Sequence, residues 1–409
     1  MKGLVAIAAV FCALFGSAVS AAQLELVVVN GGRDLVETPI CTEVELPAGL
    51  KAVGPEELAV VMADKDGATV PGQLVREAKG RVCLYWVAPK VAADSKTTWT
   101  ATITPGSPQP GFTYRDNPGN YRDLLFDGRK VTRYMYAHDT STPARLHETY
   151  KVFHHVYDGD TPLTKGPDGE NPYVQGLYTH HRGIYIGWNK LKHAGGTNDW
   201  WHMSGVFMVH REFAEQVAGP VLGRSVLRID WIDKQAKPVI AETRKVTVFR
   251  VSDPTVLLLD FETALKAAGG DVYLDGDPEH AGFQYRPHNA VAEGPKDVKA
   301  KYLFHNDSID PHRDQNLPWV GMSYGLDGRR YSVLHLNHPD NPTPSVYSAY
   351  RDYGRFGTFF RQEIKAGDVL ELKYRLIVTR GDLPDRADAQ GRYLAFTAPP
   401  RVDRATWRP

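Results

Sequence analysis

From residue 112 onward, windows of about eleven residues lack the apolar repeat of a helix. What recurs is alternation. In Arg-Lys-Val-Thr-Val-Phe-Arg-Val, residues 244–251, apolar and polar side chains take turns, as they do in a strand with one buried face. Similar runs follow one another: "YKVFHHVYD", "GIYIGW", "VFMVHREF", "TVLLLDFETAL", "VLELKYRLIVTRG". A β region reaching from 112 to 400 can bury its apolar faces only by stacking two large sheets. Residues 23–107 carry six or seven shorter strand-like runs between turn residues, which predicts a small Ig-like β-sandwich. "TPGSPQPG", 104–111, is the linker signal between them. The expected fold is therefore all-β: a small N-terminal sandwich followed by a large antiparallel β-supersandwich. The final "APPRVDRATWRP" is expected to be a loose tail.

Residues 1–22 read as an export leader, with one Lys, an apolar run and then small residues. Nothing later approaches the roughly 20 consecutive apolar residues of a membrane span. The expectation is an exported bacterial protein, periplasmic or extracellular. In an oxidising compartment Cys41 and Cys83 form a disulfide candidate, with two buried free thiols as the other reading. The 48 Lys and Arg balance the 48 Asp and Glu, and no basic block stands out, which argues against a nucleic-acid partner.

Histidine is the informative residue. All 15 lie between His138 and His338, and the N-terminal module has none, so the large domain is the expected seat of function. Four segments concentrate polar candidates: His154 and His155; "THHRG" with His180, His181 and Arg182; "NDWWH" with Asp199, Trp200, Trp201 and His202; and "LHLNHPDNP" with His335, Asn337, His338 and Asn341. A weaker fifth, "GDPEHAGFQYRPHNA", holds Asp277, Glu279, His280, Gln284 and Arg286. If the strand after "THHRG" includes the triplet, His180 and Arg182 share a face with Ile184 and Ile186. His181 then shares the other face with Gly183, Tyr185 and Gly187, where small residues leave room for a ligand. That favours His181 as the pocket group, with Arg182 at its rim. Trp200 and Trp201 suit either a hydrophobic plug or a stacking platform for a sugar ring. No His-Glu-x-x-His, cysteine cluster or Ca²⁺ loop signals a metal, yet histidines from distant strands could converge on a divalent ion. No Gly-x-Ser-x-Gly or phosphate loop occurs.

The blocks "THHRGIYIGWNK", "NDWWHMSG" and "LHLNHPDNPTPSVYSAYRDYGRFGTFF", preceded by "YKVFHHVYDGDTPLT", resemble the exported bacterial proteins labelled the PmoA family, over residues 112–385. That label points to methane oxidation, which the want of a membrane span rules out. The resemblance implies an exported β-rich protein of glycan-degrading bacteria. The two-module layout also resembles supersandwich polysaccharide lyases and galactose-mutarotase-like proteins, an architectural likeness that does not fix function. Where the PmoA family has Asp-His-Pro ahead of His-His-Arg-Gly, this chain reads Leu-Tyr-Thr.

Two classes of function follow. One is an enzyme on a polysaccharide or oligosaccharide. A uronate lyase would use Arg182 or Arg351 on the carboxylate, His181 or His155 as base and Tyr353 or Tyr185 as acid, with His202 and His338 in the same cleft. Trp200, Trp201, Asn341, Tyr185 and Gln284 would bind the sugar. A hydrolase would need two carboxylates instead, from Asp199, Asp277 and Glu279. The other class is a glycan-binding protein without chemistry. Imidazoles and guanidinium groups drawn from four segments tilt the reading toward an enzyme.

Overall fold

The structure is a computed structural model and describes residues 21–408. Nearly all of the predicted leader lies outside these residues, and Ala22 already opens the first strand, Ala22–Val29. Strand accounts for 53% of the chain and helix for 9%, so the all-β expectation holds.

In the N-terminal sandwich, six strands between Ala22 and Pro105 hydrogen-bond into one antiparallel sheet that folds over its own core. Alternation puts Leu24, Leu26 and Val28 inside, against Trp99, Ala101 and Ile103 of the neighbouring strand, and Val60 and Trp86 complete the core. The seventh strand is a surprise. Arg401–Trp407, expected to be a loose tail, pairs antiparallel with Ala22–Val29, Leu26 facing Ala405. Its polar sequence hides it, because an edge strand can be held by main-chain bonds with little side-chain burial. Trp407 anchors it, donating from Nε1 to the Glu45 carbonyl at 3.0 Å.

The predicted Cys41–Cys83 bridge is not formed; both thiols are free. The register explains why. Cys41 faces Tyr85 and Cys83 faces Glu43, so the two are diagonal neighbours, roughly 7 Å apart in such a ladder, and a disulfide needs Cβ atoms about 4 Å apart.

In the large domain, a nine-stranded and an eight-stranded antiparallel sheet lie face to face. Ile184, Ile186, Trp188, Phe283 and Tyr285 of the first meet Trp231, Val246, Phe261 and Tyr374 of the second. Phe283 stacks on Tyr374 at 4.4 Å and lies tilted against Phe261 at 4.5 Å, which places these side chains between the sheets. Helix Arg386–Thr397, capped by Asp385, packs on strand Leu35–Glu43 and ties the two domains, Arg392 reaching Glu37.

Candidate metal centre

Period two sends every second residue of the nine-stranded sheet to its outer face, away from the sandwich core. Tyr185 in Ile184–Trp188 lies opposite Gln284 in Ala281–Tyr285, which lies opposite Gly357, which lies opposite Ser348. These residues and Arg286 are buried because loops fold back over them. One loop, 199–203, lies on the sheet through Gly187: a Cβ there would sit 2.5 Å from the Trp200 carbonyl oxygen, and Trp200 N–H donates to the Trp188 carbonyl at 3.0 Å. The space that the glycines seemed to leave for a ligand is thus filled by main chain. Gly183 is likewise pressed against the His154 carbonyl.

Three histidines meet above this face. His180, His202 and His280 each offer a ring nitrogen, all within 4.8 Å of one another. Two of them are oriented by carboxylates. His202 Nδ1 lies 2.7 Å from Asp199 Oδ2, and His280 Nδ1 lies 2.9 Å from Asp277 Oδ1. Since a carboxylate accepts, these Nδ1 atoms carry the proton and leave each Nε2 with a free lone pair. The carboxylates are themselves fixed. Asp199 Oδ1 accepts from the Trp201 and His202 amides at 2.9 and 2.8 Å, and Asp277 Oδ2 accepts from Asn189 Nδ2 at 2.8 Å. Burial pushes the Asp199 and Asp277 carboxyls up, yet the bonds each receives together hold both below the usual range: from His202 and the Trp201 amide for Asp199, and from His280, Asn189 and the Glu279 amide for Asp277. His180 Nε2 is buried and makes no hydrogen bond. Burial, with Lys151 and His202 nearby, keeps its ring neutral. Imidazoles backed by carboxylates are the donor set of a first-row divalent ion.

The wall beside the cluster is cationic. Lys151 is fully buried, donates to the Trp201 carbonyl at 2.7 Å and sits 3.9 Å from the centre of the Tyr185 ring. Burial drives its amine well below the usual lysine value. Arg286, also buried, lies over Trp201 with its guanidinium carbon 5.4 Å from the ring centroid, and burial lowers it to about 10.

The sequence-predicted residues divide sharply. His202 belongs to the cluster. His181 flanks it, its ring 4.6 Å from His180 and stacked on Tyr178, with Tyr353 beyond. The strand begins only at Ile184, and residues 178–183 form a turn with Tyr178 in the left-handed region, so strand alternation does not sort the triplet. His180, not His181, therefore faces the centre. Arg182 is not a substrate arginine: it donates to Tyr173 Oη at 2.8 Å and to the His181 and His147 carbonyls at 3.0 and 2.9 Å. His155 is structural too, Nε2 donating to the Pro167 carbonyl and Nδ1 accepting from Thr164 Oγ1, both at 3.0 Å. His338 packs on Phe396 beside the interdomain helix, so the single cleft of His155, His181, His202 and His338 does not exist. Asn341 is consumed by Asn337 and the Lys373 main chain. Trp200 is core, its Nε1 donating to the Phe207 carbonyl, and Trp201 is fully buried beneath the cluster; neither is an exposed stacking platform. Tyr185 and Gln284 are in the wall. Arg351 pairs with Glu279 at 2.9 Å, and Tyr353 Oη accepts from Arg355.

His180, His280, Lys151 and Arg286 were missed as central residues. A signal for two of the three imidazoles was present: Asp199-Trp-Trp-His202 and Asp277-Pro-Glu-His280 are the same Asp-x-x-His turn, written twice.

Residues 122–393 match the model of a family of unknown function, DUF6807, and the chain belongs to that family. No curated protein and no solved structure matches it.

Proposed function

We propose that this DUF6807 protein is an exported metalloenzyme of carbohydrate breakdown, with a divalent first-row ion at His180, His202 and His280. The observation that carries the reading is the convergence of three imidazoles from separate loops, two of them backed by their own carboxylates. Glycan binding without chemistry is served by stacking rings and amides, and the rings at this site, Trp200 and Trp201, are buried. Bound there, such an ion supplies a Lewis acid for a sugar oxygen.

Elimination fits the surroundings better than hydrolysis by paired carboxylates. A hydrolase needs one carboxyl raised toward neutrality as general acid. Here Asp199 and Asp277 are held low by their histidines. Burial pushes Glu279 up, but Arg355, Arg351 and Tyr350 outweigh it and hold it at about 2. The proton-handling groups facing the wall are instead the Tyr185 hydroxyl, which makes no hydrogen bond, and the Lys151 amine.

The test is metal content after dialysis, with thermal melts. Wild type should retain one zinc, manganese, iron, cobalt, nickel or copper ion per chain and melt higher when loaded. His180→Ala and His280→Ala should lose the ion. Wild type that holds none of these metals, or variants that hold them equally, would sink the reading. A panel of uronate-rich and neutral polysaccharides, followed by the ultraviolet absorbance of an unsaturated product, separates lyase from hydrolase.

A further inference from the structure

Arg286 is the least satisfied charged group of the site. It is 1% exposed, and its Nε, Nη1 and Nη2 make no well-formed hydrogen bond among the described residues, the Tyr185 hydroxyl being near enough to give only a weak one. A buried charge stripped of water and left unpaired is strongly unfavourable, so such a group is retained where a ligand completes it. The nearby acids are already engaged: Asp199 by His202, Asp277 by His280, Glu279 by Arg351 and Arg355. The charged and polar groups that bear on Arg286 are Tyr185, Arg355 and Tyr302, and none of them is an acid at neutral pH. Beside it, the Tyr185 hydroxyl and Gln284 Oε1 are buried and also unpartnered.

The position matters as much as the charge. Arg286 follows Ala281–Tyr285, the strand that His280 precedes, and its N–H donates to the Gly183 carbonyl at 2.9 Å, just after the His180 turn. Its guanidinium shares the Trp201 ring with His280, whose own ring is 6.2 Å from that indole. An oxyanion on Arg286 would therefore stand close to the imidazoles, across the Trp201 ring from His280.

We infer that the substrate carries an anionic substituent, a carboxylate or a sulfate on a sugar, and that Arg286 binds it with the Tyr185 hydroxyl as second donor. This rests on the proposed reading of the histidine cluster as an enzyme site. The planar fork of arginine matches two oxygens of such a group at once. The substrate-anchoring role that sequence assigned to Arg182 or Arg351 thereby passes to Arg286.

The experiment is calorimetric titration of D-glucuronate, D-glucose 6-sulfate and D-glucose into the zinc-loaded and the metal-stripped chain. Wild type should bind at least one anionic sugar roughly ten- to hundredfold more tightly than glucose, in line with hydrogen bonds to a charged group. Which one wins identifies the oxyanion. Arg286→Met should lose that preference while melting no lower than wild type, since it removes a charge with no partner. Arg286→Lys should keep the fold and a weakened preference. Equal binding of all three sugars, binding of none, or an unchanged preference in both variants would overturn the proposal. So would a marked drop in melting temperature for both, which would make Arg286 structural. Zinc stoichiometry is read on the same samples. Anion preference in a chain that binds no zinc, manganese, iron, cobalt, nickel or copper would sink the metal centre and leave the Arg286 site standing.

Discussion

Among the arginines buried on the outer face of the nine-stranded sheet, Arg133 and Arg286 differ in every partner. Arg133 is fully enclosed. Its Nε and Nη2 donate to Asp123 at 2.6 and 3.0 Å, Nη2 also reaches Glu170 at 2.9 Å, and Nη1 takes the Asp168 carbonyl at 2.6 Å. Its plane lies 3.6 Å from the Tyr121 ring. His155, one strand over, is equally closed, both ring nitrogens bonded. Arg286 is just as deep and has none of this. A closed polar network holds a fold together. An open one, at the same depth in the same sheet, is where we propose that a ligand binds. Composition cannot separate the two, because both ends spend the same residue types.

The largest effect should come from breaking the closed end. Arg133→Met leaves Asp123 buried and without its main partner, which costs about 3–5 kcal/mol. Urea unfolding should show that loss for Arg133→Met and none for Arg286→Met. Equal losses would mean that the two arginines are not different in kind.

Acid should unfold the closed end next. Burial is the main reason His155 stays neutral, lowering it to about 4, with the Pro167 carbonyl and Asp168 opposing and Arg133 and Arg182 assisting. Its folded value lies below the roughly 6.5 of an unfolded chain. Above that value neither state is protonated and stability is flat. As pH falls from about 6.5 toward 4, the unfolded chain takes a proton that the fold refuses, so stability drops by about 3 kcal/mol. His335, buried and lowered to about 3, adds in the same direction. Unfolding midpoints at neutral pH and near pH 4.5 should show the slope, and His155→Gln should flatten its share. A wild type equally stable at both would contradict a neutral His155.

The contrast also marks what sequence could carry. The two domains were legible because alternation reports burial directly, as in Leu24, Leu26 and Val28. Strand Arg401–Trp407 was not, since main-chain pairing leaves no pattern in side chains. In the site, His202 was found and His180 was misjudged for its neighbour, because face logic presumes a strand and the strand starts at Ile184. His155 and His338 were drawn in by residue type alone. Whether an imidazole is free or spent depends on its partners: here Thr164 and Pro167 for His155, Phe396 for His338. Only the repeated Asp-x-x-His turn wrote part of the site into local sequence.

That turn sharpens the open end. Asp199→Asn and Asp277→Asn keep the shape but weaken the hold on each histidine's Nδ1–H. Each should cost about 10–100-fold in metal affinity, with the melting temperature of the stripped protein little changed. Competition titration with a chelator measures it. Affinity unchanged in both would mean that the carboxylates are turn caps and nothing more.

The smallest effect tests where the open end stops. Arg351 stands half exposed at the rim and pairs with Glu279 at 2.9 Å. Sequence made it a candidate for the substrate's acid group, but its charge is already answered and screened by solvent. Glu279 does not depend on it, since Arg355 and the Tyr350 hydroxyl at 3.0 Å hold the same carboxylate. Arg351→Ala should therefore leave both the melting temperature and the preference for an anionic sugar as they are in wild type, while Arg286→Met abolishes the preference. Calorimetry with the two variants side by side decides it. If Arg351→Ala loses the preference and Arg286→Met keeps it, the anion is bound at the rim, and the buried guanidinium belongs with Arg133 after all.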